Sequence, residues 1–225
     1  MNTILILAFA PGVFWLWYFY KRDSLQPEPK GLIIKMFIYG MVVVFPAALV
    51  ETVFSGQGVL VVILFAPVVE ELSKYLVVKK IVFHHAEFDE PMDGIVYSAA
   101  VALGFASMEN VGYLVNARSG GILAGVFVGR AFLSVPGHVL FSSMWGYALG
   151  LAKFSRYEYR NNLIRTGLVL AILLHGVFNF LALYSSTFAV GMVFFVLMMW
   201  SMVNRRIRTA MKISERMAEL SEDED

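Results

Sequence analysis

The sequence predicts an all-α, polytopic transmembrane helix bundle. Of its 225 residues, 59% are hydrophobic and only 16% are charged, whereas soluble domains have roughly 45–50% apolar and about 25% charged residues. The mean hydropathy is +0.70, and the charges lie between long apolar runs. Because about 20 residues cross a bilayer as a helix, we expect seven or eight spans. They form one domain over residues 1–203, followed by a charged tail over 204–225.

The composition also excludes several classes of protein. A net charge of +1 gives no global field that would attract nucleic acid. The absence of cysteine rules out a disulfide framework, a thiolate zinc site and a cysteine nucleophile. The segment that opens the chain, Met1-Asn2-Thr3, lacks a basic region, and no small-residue cleavage signature follows it. We therefore expect a retained first span rather than a signal peptide.

Apolar runs predict seven crossings in the lipid bilayer, at 3–20, 31–50, 59–79, 94–115, 135–152, 167–184 and 188–203. Segment 121–132, which contains Arg130, is shorter than a span, and Ser134 with Pro136 has the pattern of a new helix start. Segment 121–132 is therefore expected to be interfacial or re-entrant. A full crossing there would give eight spans.

The distribution of lysine and arginine predicts the orientation, because cytoplasmic loops carry the excess of these residues. With the N-terminus outside and the C-terminus in the cytoplasm, only Arg118 and Arg130 fall on the outer side. The same assignment makes loop 84–94 cytoplasmic. The tail begins basic and ends acidic, which is typical of a short juxtamembrane helix followed by a solvated end.

Two adjacent glutamates, Glu70 and Glu71, lie inside the third apolar run. Each ionised carboxylate costs about 2.5–3.5 kcal/mol at a bilayer centre, so such groups face a bundle interior and usually mark a functional site. The structural alternative is that they only pair with Lys74, three and four residues later, to hold helices together. Because neighbouring residues are about 100° apart around a helix, we expect one glutamate to act and the other to orient.

Further polar groups recur at compatible depths in other spans. At about 1.5 Å per residue, Glu70 and Glu71 lie roughly 17 Å below the predicted outer boundary, Glu109 about 10 Å and His175 about 14 Å below it. His138 lies within about one turn of the outer end of its span. Four helices are therefore expected to bring carboxylates and imidazoles together in the outer half of the bundle, where water can enter.

Two asparagines are candidate supporting residues. Asn179 lies one turn after His175 on the same helix face, where it could fix the histidine tautomer or reach a substrate. Asn110 directly follows Glu109 and faces a neighbouring direction. Both are equally compatible with simple hydrogen bonding between helices.

The residue set supports two hydrolytic mechanisms. In one, a buried glutamate activates water as a general base while histidine or asparagine stabilises the oxyanion. In the other, His138 and His175 bind zinc with Glu70 or Glu109 and leave one position open for water. The sequence contains no His-Glu-x-x-His motif and no Gly-x-Ser-x-Gly motif. A proton- or ion-coupled transporter would use similar residues, but no internal repeat typical of such transporters is present.

Five motifs in order resemble the PrsW family of bacterial membrane proteases, which is similar to the CAAX-processing and Abi-type proteases. They are Val69-Glu70-Glu71-Leu72-Ser73-Lys74, then Phe88-Asp89-Glu90-Pro91-Met92-Asp93-Gly94-Ile95-Val96-Tyr97, Gly104-Phe105-Ala106-Ser107-Met108-Glu109-Asn110, Pro136-Gly137-His138 and Leu174-His175-Gly176. The likeness runs from the first span to the last.

The resemblance implies a multi-pass protein of the bacterial cell membrane that makes the first cut in a single-pass anti-sigma factor, within a stress response. By motif match it gives catalytic roles to Glu70, Glu71, Glu109, His138 and His175. Between the two mechanisms we favour the glutamate, so no cofactor is expected, and zinc is the alternative. The loop 84–94 also matches the family, yet its predicted cytoplasmic location separates it from this chemistry, so we expect a structural or substrate-tail element there.

Overall fold

The computed structural model describes residues 1–53 and 58–222, and every regular element among them is helical. This confirms the predicted all-α bundle. In chain order the elements are α1 Asn2–Tyr20, α2 Lys30–Val53, a π-turn at Val61–Phe65, α3 Ala66–Ile81, α4 Pro91–Ser119, α5 Leu123–Gly129, a second π-turn at Arg130–Ser134, α6 Val135–Phe154, α7 Tyr157–Leu183 and α8 Ser185–Glu222.

Helix α4 forms the centre of the bundle and packs against α1, α2 and α6. Of its most apolar 18-residue window, 83% is buried, against 22–44% in the other long apolar helices. Glycine makes this packing possible, because a Cβ on Gly104 would lie 1.9 Å from the carbonyl oxygen of Phe37 in α2. Similarly, a Cβ on Gly94 would lie 2.2 Å from the carbonyl oxygen of Gly146 in α6. The helix backbones are therefore in direct contact.

Six helical segments of the described chain are long and apolar enough to cross a membrane: Asn2–Tyr20, Lys30–Val53, Pro91–Ser119, Leu123–Phe154, Tyr157–Leu183 and Ser185–Leu220. The remaining predicted crossing, 59–79, corresponds to the first π-turn and α3. It is less apolar because α3 carries Glu70, Glu71 and three lysines, Lys74, Lys79 and Lys80. The total number of crossings and their orientation stay predictions.

Helix α6 begins at Val135, as predicted, but no break or cap precedes it. Ser134 has helical backbone angles and makes no side-chain cap, and the helical backbone is continuous from Leu123. Segment 121–132 is thus mostly the first part of one 32-residue helix, Leu123–Phe154. Pro136 lacks an N–H and would clash in a regular helix interior, and the π-turn directly before it is one of the known ways in which a helix absorbs such a break.

The C-terminal helix α8 continues past residue 203 without interruption, apart from a kink at Phe188 near its start. Beyond the last apolar run it still buries Ile207, Ala210 and Ser214. The first part of the tail therefore packs against the bundle. The acidic end at 223–225 lies outside the described residues, and the division of the chain at residue 203 stays a prediction.

Candidate active site

Glu71 is completely buried, and its carboxylate accepts hydrogen bonds from two other helices, α6 and α7, and from its own. One oxygen, Oε2, accepts from Ser142 Oγ at 2.8 Å and from Trp145 Nε1 at 2.9 Å. The other, Oε1, is 2.8 Å from Lys74 Nζ and 3.0 Å from His175 Nδ1. Every lone-pair direction of this carboxylate therefore has a donor, and its orientation is fixed.

Lys74 is also completely buried and connects α3 to α6. Its Nζ atom is 2.8 Å from Glu71, 3.2 Å from Glu70 Oε2 and 3.0 Å from His138 Nδ1. The ammonium also lies 4.3 Å from the ring centre of Phe105, a favourable cation–π distance. One cation is thus shared by two adjacent glutamates, which compensates part of the cost of burying them.

The hydrogen-bond pattern defines the protonation of both histidine rings. An ammonium can only donate, so Nδ1 of His138 accepts from Lys74, and its Nε2 carries the proton and donates to Glu109 Oε2 at 3.1 Å. In His175, Nδ1 donates to Glu71, and Nε2 is the ring nitrogen on the side of Glu70, 3.9 Å from its Oε2. Phe141 stacks on the His175 ring with centroids 4.7 Å apart. Glu71, and not Asn179 as one prediction had it, therefore orients His175.

Glu109 is held by a residue that the sequence analysis left in a connecting segment. Arg130 Nη2 donates to Glu109 Oε2 at 2.5 Å, and Arg130 Nε donates to Asn110 Oδ1. The guanidinium carbon lies 3.9 Å from the ring centre of Tyr113. Arg130 belongs to the second π-turn, so this irregular turn brings a cation against the fourth predicted span.

The two asparagines make interhelical bonds to backbone carbonyls. Asn110 Nδ2 donates to the carbonyl oxygen of Ala8 in α1 at 3.3 Å. Asn179 Nδ2 donates to the carbonyl oxygen of Val62, in the first π-turn, at 3.0 Å. One turn before Asn179, a Cβ on Gly176 would lie 2.4 Å from the Ile63 carbonyl oxygen, so α7 lies directly against this π-turn.

A cavity of about 830 Å³ opens in front of these residues. Its lining includes four of the five predicted catalytic residues, Glu70, Glu109, His138 and His175, together with Glu51, Tyr113, Arg130 and Asn179. Glu71 and Lys74 are not part of this lining and lie behind it. The structure therefore brings all predicted site residues together, and it separates those that meet the cavity from those that support them.

The two glutamates differ in what surrounds them, as their offset around the helix requires. Glu70 Oε2 is 3.7 Å from His138 Nδ1 and 3.9 Å from His175 Nε2, at the cavity wall. Glu71 has neither exposure nor a free lone pair. Glu70 is thus the member of the pair that a water or substrate in the cavity can reach.

Glu70, His138 and His175 also form a possible set of metal ligands, with one donor atom from each lying within 4.8 Å of the others. Two imidazoles and one carboxylate are a ligand set that zinc accepts, and tetrahedral ligands about 2.0–2.1 Å from zinc lie about 3.3 Å from one another. The measured separations of 3.7 and 3.9 Å need only small shifts. The residues therefore fit such an ion, although Lys74 already contacts Glu70 and His138.

Three residues that the sequence analysis missed complete the site: Ser142, Trp145 and Arg130. Ser142 and Trp145 follow His138 at positions i+4 and i+7 of α6 and so share its face. This spacing was a readable signal, because polar groups on the face of a candidate catalytic histidine are possible partners of the same site. No local pattern pointed to Arg130, whose role depends on the π-turn.

The fold and this buried constellation define a polytopic membrane protein with a candidate active site inside its helix bundle. Residues 28–203 match the family described as "PrsW family intramembrane metalloprotease". The chain is 36% identical over 215 residues to the protein called Protease PrsW of Geobacillus kaustophilus, covering 93% of both chains. It is 34% identical to Protease PrsW of Bacillus subtilis, over 95% of this chain and 98% of that protein. No solved structure matches the chain.

The chain therefore belongs to the PrsW family of intramembrane proteases. This confirms the recognised resemblance and the expected location in a bacterial membrane, and it makes the protein a membrane protease rather than a transporter.

Proposed function

We propose that this protease makes the first cut in a single-pass membrane anti-sigma factor, and that Glu70 activates the attacking water without a metal ion. The first part rests on the ordered motifs and on relatives called Protease PrsW. The second rests on one observation, the position of Glu70 Oε2 at the cavity wall, 3.9 Å from His175 Nε2.

Those two acceptor atoms are well spaced to hold one water molecule. A water about 2.8 Å from each acceptor spans their 3.9 Å separation and donates one hydrogen bond to each. Glu70 removes a proton as the water oxygen bonds to the scissile carbonyl carbon, which is general base catalysis. The same proton then passes to the departing amide nitrogen as the carbon–nitrogen bond breaks.

Glu71 and Lys74 act as positioning residues in this proposal. Glu71 fixes the His175 ring through Nδ1, and Lys74 fixes Glu70 and His138 together. Such fixed geometry is what lowers the entropic part of the barrier. Glu109, itself held by Arg130, accepts the hydrogen bond from the second ring nitrogen of His138 and so fixes the ring from that side.

Asn179 is the proposed donor to the oxyanion. A carboxamide has two N–H donors, and in the described part of the chain one is used by the Val62 carbonyl. The residue lines the cavity one turn from His175, so its second N–H is available to the negative oxygen that develops during attack. If Glu70, His138 and His175 instead hold zinc, the chemistry that the ion supplies is Lewis-acid activation.

The test is a cleavage assay in cells that co-express the protease with a tagged single-pass anti-sigma factor. Glu70→Gln, Glu71→Gln and His175→Ala should abolish cleavage while each variant still accumulates in the membrane. Glu158→Gln, at an exposed position of α7, is the matched control and should cleave normally. Wild-type cleavage by two of the three folded site variants contradicts the site.

A second substrate tests the proposed substrate class independently of the proposed catalytic residues. An unrelated single-pass membrane protein with the same tags should remain uncut by the wild-type enzyme. Cleavage of that protein but not of the anti-sigma factor would contradict the proposed substrate class and leave the membrane protease assignment intact.

A further inference from the structure

Three buried carboxylates meet at the opposite end of the bundle from Glu70. Asp23 comes from the connection between α1 and α2, Glu90 directly precedes α4, and Asp93 lies in its first turn. Asp23 is 2% exposed, Glu90 4% and Asp93 0%, and one oxygen from each lies within 4.8 Å of the other two. Asp93 is sixteen residues from Glu109 along α4, which is about 24 Å, so this cluster is separate from the candidate active site.

One oxygen of each carboxylate is buried and makes no hydrogen bond within the described residues: Asp23 Oδ1, Glu90 Oε1 and Asp93 Oδ1. The other oxygens of the two aspartates are anchored. Asp93 Oδ2 accepts from the N–H groups of Asp89 at 2.8 Å and Glu90 at 2.7 Å, and Asp23 Oδ2 accepts from the Glu28 N–H at 3.4 Å. Buried polar atoms are normally paired, so three unpaired oxygens in one place call for a ligand.

The negative charge of the cluster also indicates that a positively charged ligand is needed there. Glu28, whose carboxylate accepts from the Tyr97 hydroxyl, and Asp89 bring further negative charge. The nearby ammonium of Lys153 donates instead to the carbonyl oxygens of His85, at 3.3 Å, and Phe88.

We propose that Asp23, Glu90 and Asp93 bind a hard divalent cation of the Ca²⁺ and Mg²⁺ class. All the donors are oxygens, which these ions prefer. The donor atoms lie within 4.8 Å of one another, which suits ligands of one such ion, because Ca²⁺–oxygen bonds of 2.3–2.6 Å allow two ligand atoms to lie up to about 5.2 Å apart.

The bound cation would join segments that are distant in the sequence. Asp23 belongs to the α1–α2 connection and Glu90 to the start of α4, while the buried Ser214 of α8 lies beside Glu90. The cation would clamp three parts of the bundle at the end that the charge distribution places in the cytoplasm. This role is independent of the proposed cleavage chemistry.

The test uses the full chain, purified in detergent and stripped of divalent ions, and needs no activity. Ca²⁺, Mg²⁺ and Zn²⁺ are added separately while the unfolding temperature is recorded. Ca²⁺ at about a hundred times its dissociation constant should raise that temperature by roughly 5–10 °C in the wild type. Tb³⁺ should also show luminescence sensitised by Tyr97, and added Ca²⁺ should quench it.

Asp23→Asn is the decisive variant, because asparagine can still accept from the Glu28 N–H while the charge is lost. It should lose both the thermal shift and the Tb³⁺ signal. Glu87→Gln, exposed in the same loop, is the matched control and should keep both. If Asp23→Asn does not fold, Glu90→Gln is compared in the same two measurements.

Two results would overturn the site. One is a wild-type protein whose unfolding temperature and Tb³⁺ luminescence do not respond to Ca²⁺ or Mg²⁺. The other is a response in Asp23→Asn and Glu90→Gln that equals the wild-type response. A response to Zn²⁺ alone that disappears in His175→Ala belongs to the candidate active site, and it also contradicts this proposal.

Discussion

The ammonium of Lys74 donates a hydrogen bond to Nδ1 of His138 across 3.0 Å. This contact joins α3 to α6, and it sets the tautomer of the histidine that bonds Glu109 on its other side. The same ammonium holds both adjacent glutamates. Lys74, which its spacing suggests is a simple counterion, thus connects Glu70 and Glu71 of α3 with His138 of α6.

Replacement of Lys74 by methionine should therefore strongly destabilise the protein. Methionine fills a similar volume, but it leaves Glu70 and Glu71 buried without their cation, and breaking such a buried pair costs about 3–5 kcal/mol. Lys80→Met, at an exposed position of the same helix, should change stability little. Thermal unfolding of both detergent-purified variants measures the difference, and equal unfolding temperatures would contradict the structural role of Lys74.

Glu71→Gln and Glu70→Gln should destabilise the protein to different extents, even if both glutamates are needed for cleavage. Glu71→Gln loses charge-assisted bonds to Lys74, Trp145 and Ser142 in a fully buried place, with an expected cost of about 1.5–3 kcal/mol. Glu70→Gln loses only the longer Lys74 bond, at 3.2 Å, and should be clearly less destabilising. Unfolding curves of the two variants, recorded beside cleavage rates, provide the test. The reverse order of stability would mean that the two roles are exchanged.

Much of the site follows from sequence because it depends on depth and helical spacing. Glu70, Glu109, His138 and His175 are fixed by their distance from a predicted boundary and by regular helix rise, and they do meet at one cavity. Helical spacing did not predict the contacts that depend on an irregular part of a helix. Arg130 reaches Glu109 from a π-turn, and Asn179 binds Val62 in another π-turn instead of contacting His175. Neither turn leaves a periodic signal, and the proline at 136 gave no indication that the helical backbone is continuous from Leu123 into α6.

Metal dependence separates the two mechanisms that the residues allow. If Glu70 acts without a metal, cleavage by the purified enzyme should persist with 1,10-phenanthroline, which binds zinc and other transition ions in preference to calcium. Zinc should not copurify in a one-to-one ratio. The choice of chelator matters, because loss of Ca²⁺ from the proposed Asp23 site would otherwise lower stability and imitate loss of a catalytic ion. Inactivation by phenanthroline with recovery on added zinc would instead make Glu70, His138 and His175 the ligands.

The position of the cavity predicts where the substrate is cut. The cavity lining includes Glu51 near the end of α2, Tyr113 near the end of α4 and Leu183 at the end of α7. All three helix ends lie on the outer side in the orientation that the positive charges predict. Water and an extended chain segment can therefore enter most easily from outside the cell.

A single-pass substrate should consequently be cut at or beyond the outer end of its span, in a segment able to unwind. An intact helix shields its amides through its own hydrogen bonds, so the membrane-embedded part should resist attack. The product should keep its transmembrane helix and its cytoplasmic domain. Sequencing the new terminus of the membrane-bound fragment measures this directly, with the Glu70→Gln enzyme as the control for background proteolysis. A terminus on the cytoplasmic side would mean that the predicted orientation is inverted or that the peptide reaches Glu70 by another route.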